Sequence, residues 1–288
     1  MALMVHFKLD ESSGRTATDS SGEGRNGTLA NFTDETACWL GSSADGKRSG
    51  GLDMGQGTDD TCTFAFTDPG NLTTMMAFVR WDGTSTYPRI IHVGKGNTTP
   101  YQLLYIDHVR DALAFGATFG GGTQWFYTAA NTLDYNGAWT HLAVTYDASA
   151  STNNPIFYIN GVVSATNVET RTSGDRTELD EDSGAIGNVG AGGGNNRNLN
   201  GVLSDVRIYN HILTAYEIDI IANFYPYEAV DGLNLKADFT IDRYKELSKQ
   251  YATRGGMDNK GTLQAPFSIG ARGGANIRNR SKVYKVEK

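Results

Sequence analysis

The chain has 288 residues, is 39% hydrophobic and 20% charged, and carries a formal net charge of −7. That length admits one large domain or one domain with an appendage, and the composition supplies a core while excluding a disordered chain. No apolar run reaches the roughly 18 residues a membrane-spanning helix needs, so no membrane partner is expected.

The opening MALMVHFKLDESSG reads as a strand with Leu3, Val5, Phe7 and Leu9 on one face. It lacks the basic start, long apolar stretch and small-residue cleavage site of a secretory signal. A protein that stays where it is made, one that lost a signal, or one that leaves by lysis would all show this start. Next comes DSSGEGRNGTL, residues 19–29, with three Gly and several side-chain oxygens; it is a turn, with Asp19 and Asn26 placed to cap it through side-chain to backbone bonds.

Period-two alternation interrupted by Gly, Asn, Asp and Ser then continues to about residue 210. TCTFAFT sets Cys62, Phe64 and Phe66 on one face. TTMMAFVRW is apolar on both faces, with Met75, Ala77, Val79 and Trp81 opposing Thr74, Met76 and Phe78. PRIIHVG, YQLLYID and DALAFGATF follow, the last aligning Leu113, Phe115, Ala117 and Phe119. GGGTQWFYTAAN, residues 120–131, has two readings. Trp125 and Tyr127 form an aromatic platform for a sugar ring, or the strand's aromatics enter the core or a partner.

HLAVTYD, PIFYI and VLSDVRIY complete the series. Between PIFYI and VVSAT, Asn160-Gly161 is the pair a type I′ hairpin turn requires, since both residues tolerate positive φ. LTAYEIDIIANF reads as the one good helix before the tail. Thr214 is its N-cap, Glu217 completes a capping box, and Ile218, Ile221 and Ala222 form its apolar face. Strands this frequent without long helices between them predict an all-β, two-sheet antiparallel jelly-roll sandwich over residues 1–224, closed by one short helix.

Residues 225–288 differ. They carry twelve Lys or Arg against seven Asp or Glu, a net +5, which leaves residues 1–224 near −12. DGLNLKADF reads as a strand, and TIDRYKELSKQYAT as a short helix with Ile241, Tyr244, Leu247 and Tyr251 along one side. So few large apolar groups are not expected to build an independent core. The segment is expected to be an extended basic tail that attaches the domain to a partner, with Tyr244, Leu247, Tyr251, Arg278 and Arg280 as docking residues.

Cys38 and Cys62 either pair across neighbouring strands or stand as two separate buried thiols; with no C-x-x-C, a zinc ribbon is excluded. Five Asn-x-Thr/Ser triplets, beginning at Asn26, Asn31, Asn71, Asn97 and Asn279, are read as chance in a chain rich in Asn and Thr. His6, His92, His108, His141 and His211 form no metal-binding spacing, and no G-x-S-x-G is present. Gly41-Ser-Ser-Ala-Asp-Gly46-Lys47-Arg48 lacks the Ser or Thr of a phosphate loop.

Three marks in order carry a resemblance: VHFKLDESSGRTATDSSGEGRNGTLANF; then GAWTHLAVTYD with FYINGV; then AIGNVG with NGVLSDVRIYNHILTAYEI. Together they resemble a laminin-G-like, concanavalin A-like jelly roll across residues 1–224. That fold hosts lectins, glycosidases, adhesion modules and virus structural proteins, phage virion proteins among them. The resemblance implies a structural calcium ion held by Asp19 and Asp205, with Asn26 and the backbone around Gly24 adding oxygens. Glu178-Leu-Asp180-Glu-Asp182-Ser183 resembles the E-x-D-x-x-E of retaining glucanases, but Ser183 replaces the last acid and the run reads as a solvated loop.

No catalytic role is therefore expected. The leading expectation is a structural protein of a virus particle, of capsid-decoration or fibre type, located on the virion, docked to other virion proteins by its tail and open to glycans. The alternative is a secreted, extracellular, calcium-dependent carbohydrate-binding module. Nucleic acid ranks below protein as a partner for the tail, because the main domain is acidic.

Overall fold

A computed structural model describes residues 2–41, 50–55, 57, 59–81, 85–94, 100–134, 137–179, 183–189 and 197–223. All of them fall in the first of the two units into which the chain divides, residues 1–231. The tail, and with it Tyr244, Leu247, Tyr251, Arg278 and Arg280, lies outside the described residues.

The first strands are β1 (Leu3–Phe7), β2 (Thr16–Ala17), β3 (Gly27–Ala30), β4 (Trp39–Leu40), β5 (Gly51–Asp53) and β6 (Thr61–Ala65). The long central ones follow: β7 (Leu72–Trp81), β8 (Arg89–Gly94), β9 (Tyr101–Asp107), β10 (Ala112–Phe119), β11 (Gly122–Thr128) and β12 (Thr140–Asp147). β13 (Ile156–Ile159), β14 (Val162–Ser164), β15 (Thr166–Thr170), β16 (Ser183–Ile186), β17 (Gly201–Tyr209) and the helix α1 (Ala215–Asn223) complete the described elements.

The strands form two antiparallel sheets, the expected jelly-roll sandwich. One runs β14-β13-β12-β7-β17-β5-β4, with β1 also paired to β17; the other runs β15-β11-β10-β9-β8-β16-β6-β3-β2. The core lies between them, because alternate residues on each strand point to the same face. Val5, Phe7 and Leu9 from the first strand region meet Phe64, Phe66, Phe115, Phe126 and Phe157 there. Tyr146 closes over Phe115 and Phe126 at ring-centroid distances of 5.2 and 5.8 Å.

Local chemistry behaves as expected at the punctuation points. Asn160 and Gly161 take φ of 51° and 78°, the left-handed pair of a type I′ turn. At α1, the Thr214 amide donates to Glu217 Oε2 at 2.6 Å and the Glu217 amide donates to Thr214 Oγ1 at 3.3 Å. Thr214→Ala should therefore cost about 1 kcal/mol in a chemical melt, confined to the helix end. Ile218 and Ile221 are buried, while Ala222 is only half-buried. Asn223 Nδ2 donates to the Asn160 carbonyl at 3.1 Å, fastening the helix end to the β13–β14 turn.

Cys38 and Cys62 are separate, buried thiols. Burial raises the Cys38 thiol to about 11 and pushes Cys62 higher still, so neither is a reactive thiolate at neutral pH. His141 is a packing residue inside its sheet: β12 lies between β13 and β7, and its ring packs on Phe78 at 4.7 Å.

Candidate functional site

The outer face of the nine-stranded sheet carries a second apolar cluster, separate from the core. Register determines its membership. Gly116 of β10 stands between Leu103 and Trp125, Ala114 between Tyr105 and Tyr127, and Arg89 of β8 beside Tyr105. Alternation sends Leu104, Phe115 and Phe126 into the core and the residues between them outward. Leu103, Tyr105 and Ala114 form the base, with half-buried Tyr87, Tyr101, Trp125 and Tyr127 around them.

Small residues, Ala114 and Gly116, lie at its centre. A Cβ on Gly116 would lie 2.6 Å from Trp125 Cζ3 and 2.9 Å from its Cε3, so the indole rests on the bare glycine backbone. Tyr101 and Tyr105 flank that indole at 6.2 and 5.8 Å, the second edge-on at 84°. Two guanidinium groups stack on the tyrosines, Arg89 over Tyr105 and Arg110 over Tyr127, each at 4.7 Å. Arg110 is in turn bound by Asp107 and, at 2.8 Å, by Glu169.

The structure thus puts Trp125 and Tyr127 on one face and Phe126 on the other, and adds Tyr87, Tyr101 and Tyr105, which sequence reasoning passed over. The Y-x-L-x-Y alternation inside YQLLYID was the available signal.

The residues assigned to calcium by resemblance are engaged differently. Asp19 Oδ1 accepts the amides of His6 and Ser21 at 2.9 and 3.0 Å, and Oδ2 accepts the Arg25 amide at 2.9 Å and the Ser21 hydroxyl at 2.7 Å. Burial acts to raise this carboxyl, but the three amides hold it below its ordinary range. Asn26 Oδ1 accepts the Asp19 amide at 2.9 Å, and Gly24 turns the loop with φ of 71°.

Asp205 lies across β1 from Asp19: β1 pairs with β17 on one side, and Phe7 bridges Asp19 on the other. It is 1% exposed, with φ of 50° in a bulge of β17. His6 Nε2 donates to Asp205 Oδ1 at 2.8 Å; Arg207 Nε donates to the same oxygen at 2.8 Å and Nη2 to Oδ2 at 3.2 Å.

Calcium needs about six to eight oxygens turned toward it. As arranged, both carboxylates face N–H and O–H donors, and Asp205 already has a guanidinium against it, so this donor set does not fit the ion. Melting curves in excess calcium and in chelator should coincide. A site filled at a hundred times its Kd would instead add about 2.7 kcal/mol, a shift of several degrees.

A laminin-G-type family model, described as the concanavalin A-like lectin/glucanases superfamily, matches residues 56–219. The chain belongs to this superfamily. Among solved structures, the binding domain of paraclostridial mosquitocidal protein 1 is similar with a TM-score of 0.53 and 16% identity, over 78% of this chain and 52% of that one. The receptor-binding domain of botulinum neurotoxin C/D mosaic serotype gives 0.52 and 13%, over 77% and 51%. The sialidase of Trypanosoma rangeli in complex with the inhibitor DANA gives 0.51 and 15%, over 76% and 32%. At such identities the likeness shows the fold alone, and this chain spans about half the length of the first two. Among curated proteins none matches in sequence.

In this concanavalin A-like domain the glucanase-like run departs from the pattern at Ser183, which opens β16, and residues 180–182 lie outside the described residues. Most of residues 41–48 likewise lie outside.

His92 adds a pH dependence to the platform. It packs against Tyr101 at 5.5 Å, and burial, reinforced by Arg89 and Arg197, lowers it to about 3. The unfolded chain takes up this proton below about pH 6.5, the folded one only near 3. Stability should therefore fall as pH drops through that window, by up to about 1.4 kcal/mol per pH unit from this group. Chemical melts of His92→Gln should lose that part of the slope.

Proposed function

We propose that this domain binds carbohydrate, without catalysis, on the outer face of its nine-stranded sheet. The observation that carries the reading is the half-buried aromatic cluster around Trp125, built apart from the core. Aromatic faces held rigid by neighbouring rings match the apolar C–H faces of sugar rings, and the surrounding Arg and Thr side chains can bond hydroxyls. Two of the similar structures are themselves binding domains, one of them named for its receptor.

Glycoside hydrolysis normally uses two carboxylates flanking the scissile bond. Asp107 and Glu169, the acids beside the platform, are both bound by Arg110 rather than left open to a substrate. A glycan array with the full chain, followed by chromatography of any bound oligosaccharide, tests both halves of the reading. Binding with intact oligosaccharide supports it; released product would make the domain an enzyme, and no binding at all would remove the glycan.

We further propose display of the domain on a virus particle, attached through residues 225–288. The charge contrast, +5 in that segment against −12 in the rest, favours a separate attaching role for the segment. Co-sedimentation with intact particles at fixed copy number is expected. Recovery only as a small soluble species would leave an extracellular module instead.

A further inference from the structure

Arg89 is out of keeping with the other buried cations. Buried Arg207 and half-buried Arg176 each meet a carboxylate, Asp205 and Asp68 respectively. Arg89 is 8% exposed, yet among the described residues no carboxylate lies within ion-pair distance of it. Its Nη1 donates to the Tyr87 carbonyl at 3.2 Å, and its Nε is buried with no partner among the described residues. A second cation, Arg197, stands close enough to act on both Arg89 and His92, and the Arg89 amide donates to the Arg197 carbonyl at 2.9 Å.

Burying an unpaired charge costs several kcal/mol, and stacking on Tyr105 with one carbonyl bond offsets only part of that. Burial, with Arg197 alongside, draws the guanidinium down to about 10, the direction an uncompensated cation takes. A methionine would pack here at lower cost. The charge is therefore placed for something that arrives from outside, which is how perturbed groups mark functional sites.

We infer that the platform is selective for sugars bearing a carboxylate, recognised by the Arg89 guanidinium while the ring packs beside Trp125 and Tyr105. The inference rests on the carbohydrate-binding reading above and names its ligand class. A planar guanidinium pairs a carboxylate through two parallel N–H···O bonds, roughly twice as strong as bonds to a neutral hydroxyl. The acid also supplies the counter-charge that Arg89 lacks among the described residues. Selectivity must come from this contact, because a domain near −12 repels anions at long range.

The test is an array printed in pairs, each sialic- or uronic-acid oligosaccharide beside its carboxyl-reduced alcohol, probed with the full chain. The acidic member should bind at least tenfold more tightly. Arg89→Met should make the two members equal, the acidic member losing far more than the alcohol, and Arg89→Lys should fall between. The melting temperature of Arg89→Met should match or exceed the parent's, because a buried charge with no carboxylate partner among the described residues has gone; a merely structural arginine would lower it. Equal binding of both members by the parent, or an equal loss of both in Arg89→Met, overturns the acid selectivity and leaves the platform standing. Failure of every pair to bind removes the platform itself, and the inference with it.

Discussion

Arg207→Met is expected to destabilise the fold by about 3–5 kcal/mol. The reason is what remains behind. Asp205 would keep His6 at 2.8 Å but lose both guanidinium bonds while staying 1% exposed. Burial alone acts to raise this carboxyl; the Arg207 charge, with His6, holds it far below its ordinary range. An isolated buried carboxylate must take up a proton or admit water, and either disturbs β17 where it passes from β5 to β1.

Asp205→Asn in the same chain should recover part of the loss, since the amide removes the stranded charge and still accepts from His6. Asn also tolerates the left-handed φ of 50° that this bulge demands. A double-mutant cycle in denaturant then reads the coupling, expected at about 1–3 kcal/mol. Additive losses would show that the two side chains are independent and that the bulge is held by backbone bonds alone.

Gly116→Ala is expected to reduce glycan binding tenfold or more at little cost to the fold. The new methyl would lie 2.6–3.2 Å from three indole carbons of Trp125, so the ring must lift off the sheet by about an ångström and its exposed face is displaced. Trp125→Ala should lose binding by a similar or larger factor, as removal of a central aromatic anchor does. Phe126→Ala is the contrast. Its ring lies in the core against Tyr146, so about 3–5 kcal/mol of stability should go, and binding should decline only as folding does. Parallel melts and binding curves separate the three. If Gly116→Ala binds as the parent does, the sugar is not seated on Trp125.

These neighbours show where sequence reasoning stops. Trp125, Phe126 and Tyr127 were recognisable as a strand with Trp125 and Tyr127 sharing a side, because alternation is local. Which side meets the core was not, because shifting a strand by one residue exchanges its faces, and only the opposing sheet rewards one phase. The platform's other aromatic members and Arg89 come from β8, the residues just before it, and β9, and nothing near Trp125 in sequence announces Tyr87, Arg89, Tyr101 or Tyr105.

The supposed calcium pair teaches the same lesson. Asp19 was legible as a turn residue, and the turn it makes with Ser21 and Arg25 is local. Asp205 was taken from resemblance as its companion. Its actual partners are Arg207, two residues away but aligned by a bulge, and His6, 199 residues away.

By itself the sequence determined what short-range physics controls: the period-two strands, the Asn160-Gly161 turn, the capping box at Thr214, and the jelly roll these imply. Strands of two to four residues, β2 to β5, were too short to show a period, and it was pairing with longer neighbours that formed them. Tertiary structure alone decided which aromatics stand outside the core, which carboxylates face guanidinium groups, and that Arg89 is buried without one among the described residues. Those outcomes depend on packing between residues tens to hundreds of positions apart, where burial sets the strength of every charge and no local pattern records who the neighbour will be.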